Sequence, residues 1–295
     1  MLKLKAVLIL LFTAILFVGC VTKPVASPEQ SARARAEILR GSYGTYHGAP
    51  RQGDHVDIAR LLAELEDIHA NTYHWLVRGP NGWEDLKTFL PLAREKHLRV
   101  WASLVPPSEP PPSQPFGLDF QKWGLEFAKL ALMETNLVAW SIDDFPYNIK
   151  KAFTPEYVAK MVGDARAINP NLAFAPCCYF NQMKPKFVAN YKNSFDGVLF
   201  PYRADSAGGN LQDATLVGPE VKKLRALWGA DFPIILDIYA TAHSKLGAST
   251  PDYVEQVMIN GKKCCDSVLI YCHQDPVKNA EKYQVVKRQF AVLPH

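Results

Sequence analysis

Eight short runs of β-branched and aromatic residues recur along this chain, and stretches long enough for a helix separate them. Between the runs, apolar residues fall at helical spacing, as in Ile58, Leu61, Leu62 and Leu65. Strands joined by helix-length connections pair in parallel, because a parallel partner needs a crossover of about a dozen residues or more. Eight such units predict an α/β fold that closes on itself, the (β/α)8 or TIM barrel. The predicted strands are 41–46, 71–77, 98–104, 137–143, 172–178, 197–202, 233–239 and 267–273.

The first 20 residues have the layout of an export signal rather than of a fold element. Lys3 and Lys5 precede an apolar run over 6–18, which is shorter than the ~20 residues that a membrane-spanning helix needs. Cys20 follows this run directly after a glycine, as in the lipobox of bacterial lipoproteins. In those proteins the signal peptide is cleaved at this site and the cysteine is acylated. We expect 1–19 to be a signal peptide and Cys20 to carry a lipid, which would anchor the protein at the outer membrane or cell surface of the cell envelope.

Residues 20–36 are polar and carry little apolar surface, so they are predicted to form a lipid-anchored tether. The remaining residues, 37–295, match the ~250 residues that are typical of a TIM barrel. The sequence therefore predicts a single barrel domain behind the tether.

The net charge argues against a nucleic-acid-binding protein, and the cysteine content leaves the disulfide pattern open. The formal net charge of +4 falls to +2 without Lys3 and Lys5, and the sequence has no basic cluster, so no nucleic-acid partner is expected. Five cysteines remain after Cys20, an odd number, and they are expected to be buried in the core or bridged in a pairing that cannot be read from the sequence. They are Cys177, Cys178, Cys264, Cys265 and Cys272.

The sequence lacks the usual motifs for binding metals and nucleotides. The two adjacent cysteine pairs do not match zinc spacing, and His47, His74, His243 and His273 occur in no His-x-His or His-Glu-x-x-His pattern. Neither a phosphate-binding glycine loop nor a Gly-x-Ser-x-Gly elbow is present in the sequence. We expect no metal and no cofactor.

Two adjacent carboxylates end the fourth predicted strand. Alternation along 137–143 places Ala139, Ser141 and Asp143 on one face, and Asp144 follows where the strand gives way to a loop. Two carboxylates this close repel each other when both are ionised, so one of them can keep a proton near neutral pH. An acid beside a base is what cleavage of a glycosidic bond requires. The alternative is that both aspartates only cap the turn before Pro146.

The stretch Ser141-Ile142-Asp143-Asp144-Phe145 resembles the Asp-Asp motif after strand four of the bacterial O-GlcNAcase and hyaluronidase-type β-N-acetylglucosaminidases, which are TIM barrels. The resemblance implies that Asp143 orients a 2-acetamido group of the substrate as the nucleophile and that Asp144 is the general acid and then base. That family has a Tyr-Ala-Pro-Lys-Asp-like stretch where this chain has 73–80, with Arg78 as its cation. The resemblance therefore predicts fold and chemistry rather than substrate.

A further carboxylate lies in the seventh predicted strand. Ile235, Asp237 and Tyr239 share a face, and a charge packed against helices would be costly, so Asp237 is predicted to point into the barrel. It would act with Asp144, as in retaining glycosidases whose acid lies on strand four and whose nucleophile lies on strand seven. The alternative is a structural aspartate that holds Arg203 or His273.

Aromatic and polar side chains recur at the ends of the predicted strands. Sugars have apolar C–H faces and polar edges, so a site that binds them needs flat rings beside hydrogen-bonding groups. The loop over 106–115, with six prolines, and the Gly- and Ser-rich loop over 204–213 lie at the same end, and the proline-rich loop is either a stiff wall of the site or a simple spacer. The residues predicted to bind substrate are Tyr43, Tyr46, Trp75, Trp101, Tyr147, Tyr179, Tyr202, Arg203, Tyr239, His243, Tyr271 and His273.

Together these features predict a lipid-anchored glycoside hydrolase that acts on oligosaccharide or polysaccharide outside the cytoplasm. A different class remains open, namely a non-catalytic glycan-binding lipoprotein of the envelope with the same barrel and rings. The sugar, the linkage, the stereochemical course and the oligomeric state are not determined by the sequence.

Overall fold

A computed structural model describes residues 27–293, and a ring of eight parallel strands lies at its centre. Each strand lies within one or two residues of its predicted position, except that the fifth is much shorter. The hydrogen-bonded order is β5-β4-β3-β2-β1-β8-β7-β6. The strands are β1 (Tyr43–Tyr46), β2 (Thr72–Val77), β3 (Arg99–Leu104), β4 (Leu137–Ile142), β5 (Ala173–Phe174), β6 (Val198–Tyr202), β7 (Ile234–Tyr239) and β8 (Ser267–Tyr271).

The ring closes between β5 and β6. Leu199 accepts a hydrogen bond from the N–H of Cys178 (2.8 Å) and donates one to the carbonyl of Pro176 (3.0 Å), and it forms a parallel bridge with Cys177. Regular pairing stops early because Pro176 has no N–H to donate to a ladder. The predicted single-domain (β/α)8 barrel is confirmed.

Helices alternate with the strands and cover the outside of the ring. Thr154 and Thr250 cap the helices that follow β4 and β7, each by accepting a hydrogen bond from the N–H three residues on. Within 27–293, no helix combines the length and apolar character needed to cross a bilayer. The helices are α1 (Pro28–Leu39), α2 (Ile58–Asp67), α3 (Gly82–Glu95), α4 (Phe120–Met133), α5 (Pro155–Ile168), α6 (Pro185–Tyr191), α7 (Val217–Trp228), α8 (Pro251–Gly261) and α9 (Ala280–Phe290).

Helix α1 corrects the predicted tether, since the boundary at residue 37 falls inside it. Ser27 and Gln30 form a capping box at its start. Arg35 is buried and contacts Asp196 at 2.8 Å. Leu39 is fully buried with the side chains inside the ring, so α1 closes the N-terminal end of the barrel. The predicted signal peptide and the tether as far as residue 26 lie outside the described residues.

Candidate active site

A cavity of about 340 Å³ opens at the C-terminal end of the barrel. It brings together the predicted Asp143, Asp144 and Asp237, and it adds Glu109 and Cys177, which were not predicted as site residues. Side chains from opposite sides of the ring therefore meet in one place. The cavity is lined by Tyr46, Glu109, Asp143, Asp144, Cys177, Tyr179, Pro201, Asp237, Tyr239, Ala242, His243, Ser244 and Tyr271.

Asp143 follows β4 and faces the cavity, where its carboxylate accepts two hydrogen bonds. The Tyr46 hydroxyl donates to Oδ2 at 2.9 Å, and the backbone N–H of Asp144 donates to Oδ1 at 2.9 Å. Burial and the neighbouring charge of Asp144 raise the pKa of Asp143 to about 6, although hydrogen bonds from Tyr46 and Cys177 favour the ionised form. Asp143 therefore changes its charge close to neutral pH.

Asp144 lies at the point where the chain turns out of β4. Its φ of 44° and ψ of 35° fall in the left-handed region, which aspartate adopts more readily than most residues. This conformation starts the short 3₁₀ helix Phe145–Asn148 and leaves the carboxylate of Asp144 beside that of Asp143. The Tyr179 hydroxyl donates to Asp144 Oδ1 at 2.6 Å. Both aspartates are thus held as hydrogen-bond acceptors toward the cavity.

Glu109 enters the cavity from the proline-rich loop between β3 and α4. Its carboxyl forms a hydrogen bond with Asp144. Burial and then the charges of Asp143 and Asp144 raise the pKa of Glu109 to about 7, against the opposing effect of Arg78. The sequence signal for Glu109 was its place as the acid within a stiff loop on the face that carries barrel active sites.

Two polar side chains fix the loop that carries Glu109. The buried Ser113 hydroxyl donates to the carbonyl of Val77 (2.7 Å) and accepts from the N–H of Val105 (3.0 Å). The buried Asn148 amide donates to Ser108 Oγ (3.0 Å) and to the carbonyl of Asp144 (3.0 Å). Asn148 thereby ties the segment before Glu109 to the segment that carries Asp144.

Asp237 points into the barrel from β7 and is only 2% exposed. Burial and the charge of Asp143 raise its pKa well above the usual range, which favours the neutral acid. The alternative that Asp237 holds Arg203 or His273 is wrong, because Arg203 pairs with Asp205 and His273 contacts Glu64. A neutral carboxyl is a poor nucleophile, so this environment argues against the nucleophilic role predicted for Asp237.

Among residues 27–293, one group of side chains lies close enough together to hold a metal ion. Ligand atoms of Asp143, Asp144 and Cys177 lie within 4.8 Å of one another. However, burial and the nearby carboxylates raise the pKa of the Cys177 thiol well above its usual range, whereas a metal binds the thiolate. The group suits proton transfer better than metal binding.

Aromatic rings form two parts of the cavity wall. Tyr271 lies next to Tyr46 and Tyr239, with ring centroids 5.5 and 5.3 Å apart. On the other side, the Arg203 guanidinium carbon lies 4.2 Å from the centre of the Tyr179 ring. These flat surfaces match the C–H faces of sugar rings.

Two predicted residues contact the Tyr179 ring at the rim, and a third, His243, lies beside one of them. Tyr147 is 53% exposed, and its ring centroid lies 5.5 Å from that of Tyr179. Arg203 Nη1 lies 3.4 Å from Nε2 of His243, which lines the cavity. Tyr147 and Arg203 are therefore at its edge rather than among its lining residues.

Two predicted residues face the helices instead of the cavity. Trp75 alternates with inward residues of β2, and its indole N–H donates to the carbonyl of Gly82 at the start of α3 (3.0 Å). Tyr202 faces outward from β6, and its hydroxyl donates to the carbonyl of Asp213 (2.6 Å). Both belong to the core between strands and helices, so their predicted contact with substrate is corrected.

Three more predicted residues also lie away from the cavity. Tyr43 packs on Phe290 of α9, with ring centroids 6.4 Å apart. Trp101 faces inward but is fully buried among the side chains that fill the ring. His273 turns outward, where its Nε2 lies 2.8 Å from a carboxylate oxygen of Glu64. The prediction that these residues bind substrate relies on residue type. The direction of each side chain and its depth in the ring keep all three away from the cavity.

No family model matches this sequence, and no curated protein matches it either. Solved structures do match the fold. A GH18 chitinase from Pseudoalteromonas aurantia has a TM-score of 0.55 at 10% identity, covering 84% of this chain and 100% of the other. The PgaB glycoside hydrolase domain from Bordetella bronchiseptica has a TM-score of 0.58 at 9% identity, with 85% and 99% covered. A GH5_18 protein from Streptomyces cattleya has a TM-score of 0.60 at 11% identity, with 86% and 82% covered.

These similarities define the class of fold. The chain shares the TIM-barrel fold of these three structures, and its carboxylate cavity lies at the C-terminal end of the strands. One barrel architecture hosts many chemistries, so activity must be argued from the site itself.

Proposed function

We propose that this protein is a glycoside hydrolase that cleaves oligosaccharide or polysaccharide outside the cytoplasm. The observation that carries the proposal is the convergence of the carboxyl groups of Asp143, Asp144 and Glu109 in one cavity walled by tyrosine rings. The glycoside hydrolase fold supports the class of reaction, and the site supplies the groups for it.

The three carboxyl groups hold a proton near neutral pH. They are too close for all of them to be ionised at little cost, because each charge raises the pKa of its neighbours. The pKa of Asp143 is about 6 and that of Glu109 about 7. Between these values Asp143 is mainly ionised, while Glu109 keeps a proton in its hydrogen bond with Asp144.

This arrangement performs glycosidic cleavage in two proton transfers. Asp144 passes the proton of the Glu109–Asp144 pair to the glycosidic oxygen, and the C–O bond breaks with its electrons moving to that oxygen. The ionised Asp143 stabilises the positive charge that develops at the anomeric carbon. Water then adds to that carbon and returns a proton to Asp144, so that one glycoside and one water give two sugars.

Two finer assignments belong to the proposal on sequence grounds. The resemblance to β-N-acetylglucosaminidases concerns the chemistry rather than the sugar, and it supports a role for Asp143 at the anomeric carbon and for Asp144 as the acid and then the base. The predicted signal peptide at 1–19 and the lipobox-like Cys20 support a location in the cell envelope.

The test replaces Asp144 by Asn and measures kcat/KM on a panel of 4-nitrophenyl glycosides. Because the amide carries no transferable acidic proton, we expect a loss of about 100- to 10,000-fold on the substrate that the native protein cleaves. The control is Asp252→Asn, an exposed acid in the first turn of α8 that is not among the residues lining the cavity. Native-like turnover by the Asp144 variant would remove the proposed mechanism.

A second measurement addresses the non-catalytic alternative. The native protein is applied to a glycan array, and the bound glycans are analysed for cleavage products. Binding with intact glycans would support a glycan-binding protein and contradict the hydrolase.

A further inference from the structure

Asp237 occupies the floor of the cavity without an ion-pair partner. It faces inward from β7, lines the cavity and is 2% exposed. Within 27–293 no basic side chain forms a salt bridge with it. The titratable groups that interact electrostatically with Asp237 are all acids, phenols or thiols. They are Asp143, Cys177, Tyr239, Tyr271 and Cys272.

The two oxygens of this carboxyl group have different environments. The backbone N–H of Ile238 donates a hydrogen bond to the carboxyl group. Oδ1 is buried and, in the described part of the chain, has no hydrogen-bond partner. Leaving a buried polar atom unpaired costs about 1–3 kcal/mol, so a site that keeps one is suited to a ligand that pairs with it.

We propose that Asp237 is a neutral carboxylic acid that donates a hydrogen bond from Oδ1 to an oxygen of the bound sugar. It thus acts as a specificity-determining residue at the floor of the cavity. This inference rests on the proposed glycan substrate, but it concerns a different residue and a different step. Burial and the charge of Asp143 keep the pKa of Asp237 well above its usual range, which agrees with a protonated carboxyl at neutral pH.

The chemistry of the cavity shows why a donor at this point is useful. Asp143 and Asp144 accept hydrogen bonds from Tyr46 and Tyr179, so their carboxylates present further acceptor capacity to a ligand. A protonated Asp237 presents a donor on the facing strand β7. A sugar group that contains an acceptor oxygen, such as a hydroxyl, a ring oxygen or an acyl carbonyl, satisfies that donor.

The protonation state is tested without turnover, by NMR of the native protein labelled with ¹³C at aspartate carboxyl carbons. We expect one resonance, absent from Asp237→Asn, to keep the shift of a protonated carboxyl from pH 5 to pH 8. Chito-, cello- and laminari-oligosaccharides are then added separately, and at least one should move this resonance. A resonance that titrates in the ordinary range of aspartate, or one that none of the three glycans moves, would overturn the inference.

The donor role is tested with two variants of different chemistry. Asp237→Asn keeps the shape and an N–H donor, so kcat/KM on the cleaved 4-nitrophenyl glycoside should fall by less than about tenfold. Asp237→Leu removes the donor, so we expect a loss of about 10- to 100-fold, mainly through a higher KM. The urea midpoint of each variant shows whether it is folded.

The outcomes separate this inference from the proposed function. If Asp237 is the nucleophile, Asp237→Asn will be as inactive as Asp144→Asn, and the inference fails while the hydrolase stands. If the native protein cleaves no glycoside in the panel, the hydrolase fails, and the glycan-induced shift in the NMR experiment still decides the role of Asp237.

Discussion

Glu109 determines how many protons the cavity holds near neutral pH, which predicts a bell-shaped pH profile for kcat/KM. Activity should rise as Asp143 ionises at about 6 and fall as Glu109 loses its proton at about 7. Glu109→Gln removes the carboxyl group that keeps this proton, so no proton is left on the pair for transfer to the glycosidic oxygen at neutral pH. We expect kcat/KM at pH 7 to fall by about tenfold or more, and the decline near the Glu109 pKa of about 7 to be lost from the profile.

The matched control for this prediction is Glu95→Gln, an exposed acid at the end of α3. Its profile should overlay that of the native protein. A Glu109→Gln profile that also overlays the native one would show that Glu109 takes no part in proton transfer.

At the scale of residues, the sequence locates the carboxylates on strands but not the one on a loop. Asp143 and Asp237 follow from alternation, because successive side chains of a strand point to opposite faces. Glu109 reaches the cavity through anchors at Ser113 and Asn148, which are distant from the elements they contact. No local pattern encodes such tertiary hydrogen bonds, so the sequence indicates the face on which Glu109 lies but not that its side chain reaches the cavity.

At the scale of elements, strand order and helix starts could be predicted because they depend on local chemistry. The Thr-Pro caps of α5 and α8 are examples. Misplaced aromatic residues such as Trp75 and Tyr202 were assigned by residue type, whereas alternation along β2 and β6 turns them toward the helices. Helix α1 was missed because its overall composition is polar, and only three of its residues are buried.

Helix α1 should contribute measurably to stability despite that composition. Leu39 is fully buried against the inward side chains of the ring. Leu39→Ala leaves a cavity there, so the free energy of unfolding should fall by about 2–5 kcal/mol, measured by urea denaturation. Leu132→Ala, at a position 57% exposed on α4, is the control and should change it by less than about 0.5 kcal/mol. Equal effects of the two changes would show that α1 does not seal the barrel.

At the scale of the whole molecule, one end of the barrel is closed by a helix and the other end carries the cavity. Helix α1 covers the N-terminal end, where the Arg99 guanidinium donates to the carbonyls of Ile38 and Arg40. The carboxylate cavity opens at the opposite end. Substitutions in α1 are therefore expected to change stability with little effect on the pH profile, while substitutions in the cavity change the profile.

This difference between the two ends also predicts how a lipid anchor would orient the barrel. If Cys20 is acylated, the seven residues 21–27 span at most about 25 Å before α1 begins, so the lipid holds the barrel by its closed end and the cavity faces away from the bilayer.

Cys20→Ser should move the protein from the membrane fraction to the soluble fraction, while kcat/KM on a soluble aryl glycoside stays within about twofold because the cavity is remote from the anchor. Cys264→Ser, which changes a partly buried cysteine of the barrel, should leave the protein in the membrane fraction. Membrane association that survives Cys20→Ser would show that another part of the chain attaches the protein, and a large change in kcat/KM would show that the anchored end and the cavity are coupled.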